Sequence, residues 1–211
     1  MAEYHLYCFA QSGNAYKAAL MLELTGCDWG SRFVDFFNGE TRTPEYRRLN
    51  VMGEVPVLVH GDVTLSQSGV ILDYLAEKTG KFGWHNDTER RDVLRWLLFD
   101  NHKLTSYTAT YRFLRSFVKE PDPAVLEFFR GRMSNAFSVL AAHLADNNWL
   151  LGRRATIADL SLCGYLFFDD EIGVNFGESY PAIGQWLGRI KELPGWKHPY
   201  DLMPGHPLPG A

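Results

Sequence analysis

The hydrophobic pattern of this chain changes character once, near residue 80, and the change limits the folds open to it. Before that point, short runs of β-branched and aromatic residues alternate with helical spacing; after it, only helical spacing recurs. The first part begins with a strand in YHLYCF (4–9) and a helix in NAYKAALMLELTG that Gly26 stops. A second strand in SRFVDFF (31–37) and a short helix in TPEYRRLN, opened by Pro44, follow. Two apolar runs, Val55–Val59 and Val63–Leu65, flank His60-Gly61-Asp62 and predict a hairpin. SGVILDYLAEKTG then returns to helical spacing and ends at Gly80. The order β-α-β-α-β-β-α predicts an α/β domain over residues 1–80. A polar, turn-rich linker occupies 81–88. Segments 88–118, 123–146, 156–168 and 181–193 carry apolar residues three and four apart, which predicts an all-α domain over 89–211. The tail PGHPLPGA is expected to be extended or loose.

Composition excludes several function classes. A formal charge of −4 offers no global basic field for nucleic acid or an anionic membrane surface. No apolar run approaches the ~20 residues needed to cross a bilayer, and MAEYHLYC lacks the pattern of a secretory signal. Cys8, Cys27 and Cys163 are odd in number and far apart, so neither a disulfide framework nor a metal site is expected. Buried free thiols in a reducing, cytoplasmic setting are the expectation.

Three places carry candidate chemistry. In AQSGN, Ser12 stands where a strand ends and a helix begins; it is a helix cap, a hydroxyl placed to hold an anion, or both. Val55-Pro56 heads a strand, where proline is an ordinary trans turn or a cis bond that turns the Val55 backbone outward to pair with an extended peptide. Gln67-Ser68 opens a helix, either as a plain cap or as a carboxylate site. All three lie at strand ends or helix starts, where ligands of open sheets collect, so they are expected to line one cleft.

GEVPVL followed by LSQSGVILDYLAEKTG resembles the glutathione-binding half of the cytosolic glutathione transferases, and TIADLSL (156–162) resembles the capping motif of their helical domain. The likeness covers essentially the whole chain. It implies a thioredoxin-like N-terminal domain, glutathione as co-substrate and no metal. Val55 would exchange backbone hydrogen bonds with the cysteinyl part of glutathione, with Pro56 cis, and Gln67 and Ser68 would hold the γ-glutamyl carboxylate. Arg42 falls where a basic residue often meets the glycyl carboxylate; otherwise it is a solvated loop arginine. Asp100 resembles the acidic residue that reaches the partner subunit's γ-glutamyl amine, or else pairs with His102 or Lys103 at the surface.

Neither the tyrosine-type nor the cysteine-type pattern fits: Tyr7 comes early and the loop holds no cysteine. AQSGN resembles the catalytic loop of serine-type members, with Ser12 as thiolate donor and Asn14 as a second. Glu54 stands where an amide or basic residue is often found, a departure that bears on glutathione affinity. The implied activity is attack of the glutathione thiolate on an electrophilic carbon, disulfide or peroxide, with detoxification as the broad role. The electrophile would lie between the domains against Phe9, Tyr107, Tyr111 and Phe113, unless these aromatics are core. A non-catalytic binding or scaffold protein on the same fold is the alternative. A two-fold homodimer is expected, and Thr156 with Asp159 predicts a capping box opening a buried helix from Ile157 to about Phe168.

Overall fold

Strand β1 (Tyr4–Cys8) organises the first part of the chain, because its alternation buries Tyr4, Leu6 and Cys8 on one face. The structure, a computed structural model, describes residues 2–208. Strand β2 (Trp29–Phe33) runs parallel to β1, with α1 (Gly13–Thr25) as the crossover that parallel pairing requires. On the other side β3 (Val57–His60) pairs antiparallel, and β4 (Val63–Ser66) joins it by the expected hairpin, giving the order β2-β1-β3-β4. Helix α2 (Pro44–Leu49) follows a 3₁₀ turn at Glu40–Arg42, and α3 (Ser68–Thr79) follows β4.

β2 starts earlier than the expected 31–37. The Asp28 carbonyl accepts from the N–H groups of both Glu3 and Tyr4 and fixes the pairing there, while the Phe36 N–H turns back to Val34. Helix α1 is buried nearly all round; only Asn14, Glu23 and Leu24 are half-exposed.

The cover on α1 includes the end of the described chain. Two compact units form: one holds the residues up to Lys81 and resumes at Leu193, and the other is Phe82–Glu192. The expected boundaries therefore shift at both ends. Short helix α11 (Pro199–Leu202) packs on α1, the Tyr16 hydroxyl donates to the Lys197 carbonyl at 2.8 Å, and the Lys197 ammonium pairs with Glu23 at 2.6 Å. The Phe82 and Gly83 carbonyls accept from Ile157 N–H and the Arg154 guanidinium, which ties the expected linker into the helical unit.

That unit runs through α4 (Asp87–Phe99), a π-helical turn at Asp100–Leu104, α5 (Thr105–Phe117), α6 (Pro123–Leu144), α7 (Ile157–Leu162), α8 (Asp169–Ile172), α9 (Phe176–Ser179) and α10 (Pro181–Lys191). Every residue of α7 is buried, and its capping box is present: Thr156 N–H donates to Asp159 Oδ2 at 2.8 Å, and the Thr156 side chain accepts from the first turn. Asp159 Oδ1 also accepts from Leu150 N–H and the Trp186 indole, so one carboxylate joins helix, loop and α10. Complete burial pushes the Asp159 pKa up, against these donors. The helix ends at Leu162 rather than about Phe168. Beyond it the amides of Gly164, Leu166 and Phe168 bond three residues back, the tighter pattern that a glycine at 164 favours over continued α-helix.

Candidate functional site

Strand register brings the three candidate places together. Tyr7, near the end of β1, faces Val57, the first residue of β3, and Val57 faces Ser66, the last of β4. The exit of β1, the entry of β3 and the exit of β4 therefore share one edge of the sheet. Ser12 follows the first, Val55-Pro56 precedes the second, and Gln67-Ser68 follows the third.

Ser12 is the N-cap of α1, with extended backbone, and its Oγ accepts from Ala15 N–H at 3.1 Å. That bond uses an acceptor lone pair and leaves the hydroxyl proton to donate. The side chain is only 5% exposed, beside the first-turn N–H groups, where an anion is favoured. Asn14 is the half-exposed residue of an otherwise buried first turn, and its Oδ1 accepts from Ser68 Oγ at 3.4 Å. With Oδ1 engaged, the Asn14 Nδ2 remains as donor. The helix starts of α1 and α3 are thus joined through polar side chains.

The approach to β3 is held rigidly. The Val55–Pro56 peptide bond is cis. Just before it, the Glu54 carbonyl accepts from the Tyr46 hydroxyl at 3.0 Å and from Asn50 Nδ2 at 2.8 Å. Gly53 has a φ of 65°, and a Cβ there would stand 2.9 Å from the Thr41 carbonyl, so this turn needs glycine. No described residue takes the backbone N–H or C=O of Val55. Gln67 caps α3 with a φ of 70°, a left-handed backbone that costs a non-glycine residue of order 1 kcal/mol and clusters at functional sites. Its Nε2 donates to Glu54 Oε2 at 3.0 Å, so the residue departing from the expected pattern bonds the amide expected to hold a carboxylate.

Other expectations fare unevenly. Arg42 ends the 3₁₀ turn and is exposed. Phe9 leaves β1 and stacks on Phe36 at 4.8 Å, with Phe37 edge-on at 5.9 Å. Tyr107 and Tyr111 are half-buried on α5, one turn apart; Tyr107 lines a groove of about 200 Å³ with Phe99, Lys103, Arg132 and Asn135. Phe113 points elsewhere from that helix, since two residues turn about 200°. Asp100 needs correction: it is 1% exposed, and its carboxylate accepts from the Thr105 and Ser161 hydroxyls at 2.7 and 2.5 Å. A carboxylate turned inward in this way does not fit the expected surface ion pair. Tyr7 packs against Val34, Tyr46 and Val57. Burial pushes the Cys8 thiol up to about 12, so it holds its proton at neutral pH. Cys27 is half-exposed rather than buried, with Sγ 3.2 Å from Thr25 Oγ1.

Two contributors escape sequence reasoning. Asn50 and Tyr46 act through a carbonyl, with no motif to mark them. The tail, expected to be extended or loose, is anchored where described: Pro204 and Gly205 carbonyls accept from Ala10 N–H at 2.7 Å and Gln11 Nε2 at 2.9 Å. Residues 209–211 of the tail lie outside the described residues.

Among the described residues no group of three or more His, Cys, Asp or Glu side chains could hold a metal ion, and no helix is long and apolar enough to cross a membrane. Comparison with known proteins agrees with the fold. The family models for the glutathione S-transferase N-terminal and C-terminal domains match residues 2–77 and 102–194. A glutathione S-transferase from Xanthobacter autotrophicus Py2 superposes with a TM-score of 0.85 at 33% identity, over 92% of this chain and 95% of that one. The glutathione transferase URE2P6 from Phanerochaete chrysosporium, crystallised with oxidized glutathione, gives 0.85 at 26% identity, over 92% and 93%. The disulfide-bond oxidoreductase YfcG of Escherichia coli K12 is 28% identical over 193 residues, 88% of this chain and 89% of its own. The two family models together cover most of the chain, its four-stranded sheet is followed by a helical unit, and the chain belongs to the glutathione S-transferase family.

Proposed function

We propose that this protein is a glutathione transferase that holds the glutathione thiol as a thiolate, with Ser12 as principal donor to the sulfur and Asn14 as the second. The observation that carries the reading is the Ser12 hydroxyl, buried at the N-cap of α1 with its oxygen accepting from Ala15 and its proton left to donate. A cysteine-like thiol has a pKa of about 8.5, so little is ionised at neutral pH; a hydroxyl donor and a helix N-terminus both favour the anion. Val55, ahead of cis Pro56, offers its backbone N–H and C=O to the cysteinyl part. Gln67 and Ser68 receive the γ-glutamyl carboxylate, and exposed Arg42 the glycyl carboxylate. Phe9, stacked on Phe36, offers aromatic surface to an apolar electrophile.

In the transferase reaction the thiolate forms a bond to an electrophilic carbon, and the leaving group departs with the bonding pair. The same thiolate serves a second reading, favoured by the relative named as a disulfide-bond oxidoreductase. There it attacks a disulfide sulfur and expels the other as a thiolate; a second glutathione then resolves the mixed disulfide, leaving oxidized glutathione and two reduced thiols. Three free cysteines support a reducing, cytoplasmic setting. Exposed Val70, Leu94 and Leu98 support a two-fold homodimer, for which light scattering should return about twice the 24.1 kDa chain mass.

Ser12→Ala tests the reading. Turnover of an aryl halide and of a small disulfide should fall ~10–10³-fold, the usual effect of removing a donor aimed at negative charge. The pKa of bound glutathione should rise while its affinity changes little. If Asn14→Ala loses turnover and Ser12→Ala does not, Asn14 is the donor. A wild-type chain that binds glutathione and turns over neither electrophile is a binding protein.

A further inference from the structure

We infer that the segment Lys197–Gly205 is a positioning strap for the Ser12 loop, with Gln11 and Gly205 as positioning residues that set the aim of the Ser12 hydroxyl. The inference rests on the proposed role of Ser12.

The loop is short and closed: β1 ends at Cys8, and Ser12 N–H donates back to the Phe9 carbonyl at 3.0 Å. Its two middle residues, Ala10 and Gln11, are buried and carry polar groups that the sheet no longer serves. The strap serves them, the Ala10 N–H bonding to Pro204 at 2.7 Å and the Gln11 amide to Gly205 at 2.9 Å. A buried donor left without an acceptor costs its full desolvation, so the loop settles where these two carbonyls are.

The carbonyls are themselves placed by anchors along α1. The Tyr16 hydroxyl holds the Lys197 carbonyl, Glu23 holds the Lys197 ammonium, α11 packs on α1, and Met203 is buried. The strap thus runs back along the helix that Ser12 caps and ends at the residues before the cap. Gly205 is required at the end: its φ is 93°, and a Cβ would stand 2.5 Å from Cε2 of Phe33. A donor acting on a sulfur must be held within about half an ångström of its productive position, and a loop tied only to its own helix has no such constraint on the strand side.

The experiment compares Gln11→Ala and Gly205→Val with Ser12→Ala in the full chain. It reads kcat, KM for glutathione, the thiolate absorbance of bound glutathione against pH, and hydrogen exchange at the Ala10 amide. Both strap variants should lose about tenfold in kcat, as small displacements of catalytic groups do. The bound thiol pKa should rise, KM for glutathione should stay within about twofold, and the Ala10 amide should exchange faster. The inference is overturned if both variants keep wild-type kcat and thiol pKa while Ser12→Ala loses both. Should Ser12→Ala itself leave kcat and thiol pKa intact, the proposed role of Ser12 fails and the strap's catalytic purpose with it. If Gly205→Val does not fold, Gln11→Ala decides alone.

Discussion

Under the proposed function Ser12 would use one oxygen for two tasks, and its geometry lets the two coexist. Capping employs a lone pair, toward Ala15 N–H, whereas thiolate stabilisation employs the proton. Glu54 presents the opposite situation. Its exposed carboxylate holds the Gln67 amide, which a γ-glutamyl carboxylate would have to take over against a like charge. Glu54→Gln keeps an acceptor for Gln67 and removes the charge. KM for glutathione should fall roughly threefold, the scale of an exposed charge interaction, and the gain should shrink as salt is added. An unchanged KM at low salt would count against placing the glutathione carboxylate at Gln67. Residues whose signal is local were legible: Ser12, Val55-Pro56 and Gln67-Ser68 stand at strand ends and helix starts that neighbouring residues define. Asp100 was not, because its burial depends on Ser161, 61 residues away.

Helix α7 shows how far a local pattern reaches. Thr156 and Asp159 mark its start, and the capping box is there; its end at Leu162 depends on packing and on Gly164, and the apolar spacing beyond it belongs to turns. Thr156→Ala should lower stability by about 0.5–2 kcal/mol, visible as a lower denaturation midpoint at unchanged slope. Thr156→Ser, which keeps the oxygen, should recover most of the loss. The pattern in α1 misleads differently. AALMLEL leaves no continuous polar face, which is the mark of a helix covered on several sides, but nothing nearby says what covers it. The cover includes α11, nearly the length of the chain away.

At the scale of the molecule, the fold class followed from the change in periodicity near residue 80, while the unit boundary at Leu193 did not. Contacts such as Gln11 with Gly205, 194 residues apart, leave no periodic trace. The strap also carries a pH dependence. The hydrogen bond from Lys197 holds the Glu23 carboxyl below its ordinary value of 4.5, helped by the Trp29 indole and opposed by partial burial. A depressed carboxylate pKa means that the tie is fully present above the unfolded value and is lost as pH falls through the folded one. Strap anchoring should therefore hold at neutral pH and weaken below about 4.5, with Ala10 amide exchange, corrected for intrinsic rate, rising on acidification. Lys197→Met should show the weakened anchoring at neutral pH and little further change on acidification.

The central claim is that this chain makes a thiolate of bound glutathione through Ser12. It is tested most directly by titrating the thiolate absorbance of glutathione on the wild-type protein, on Ser12→Ala and on Asn14→Ala. The account predicts a pKa well below the free value of about 8.5 for wild type, and a return toward that value in Ser12→Ala. A wild-type titration indistinguishable from free glutathione, or a Ser12→Ala curve that overlays the wild type, would contradict it.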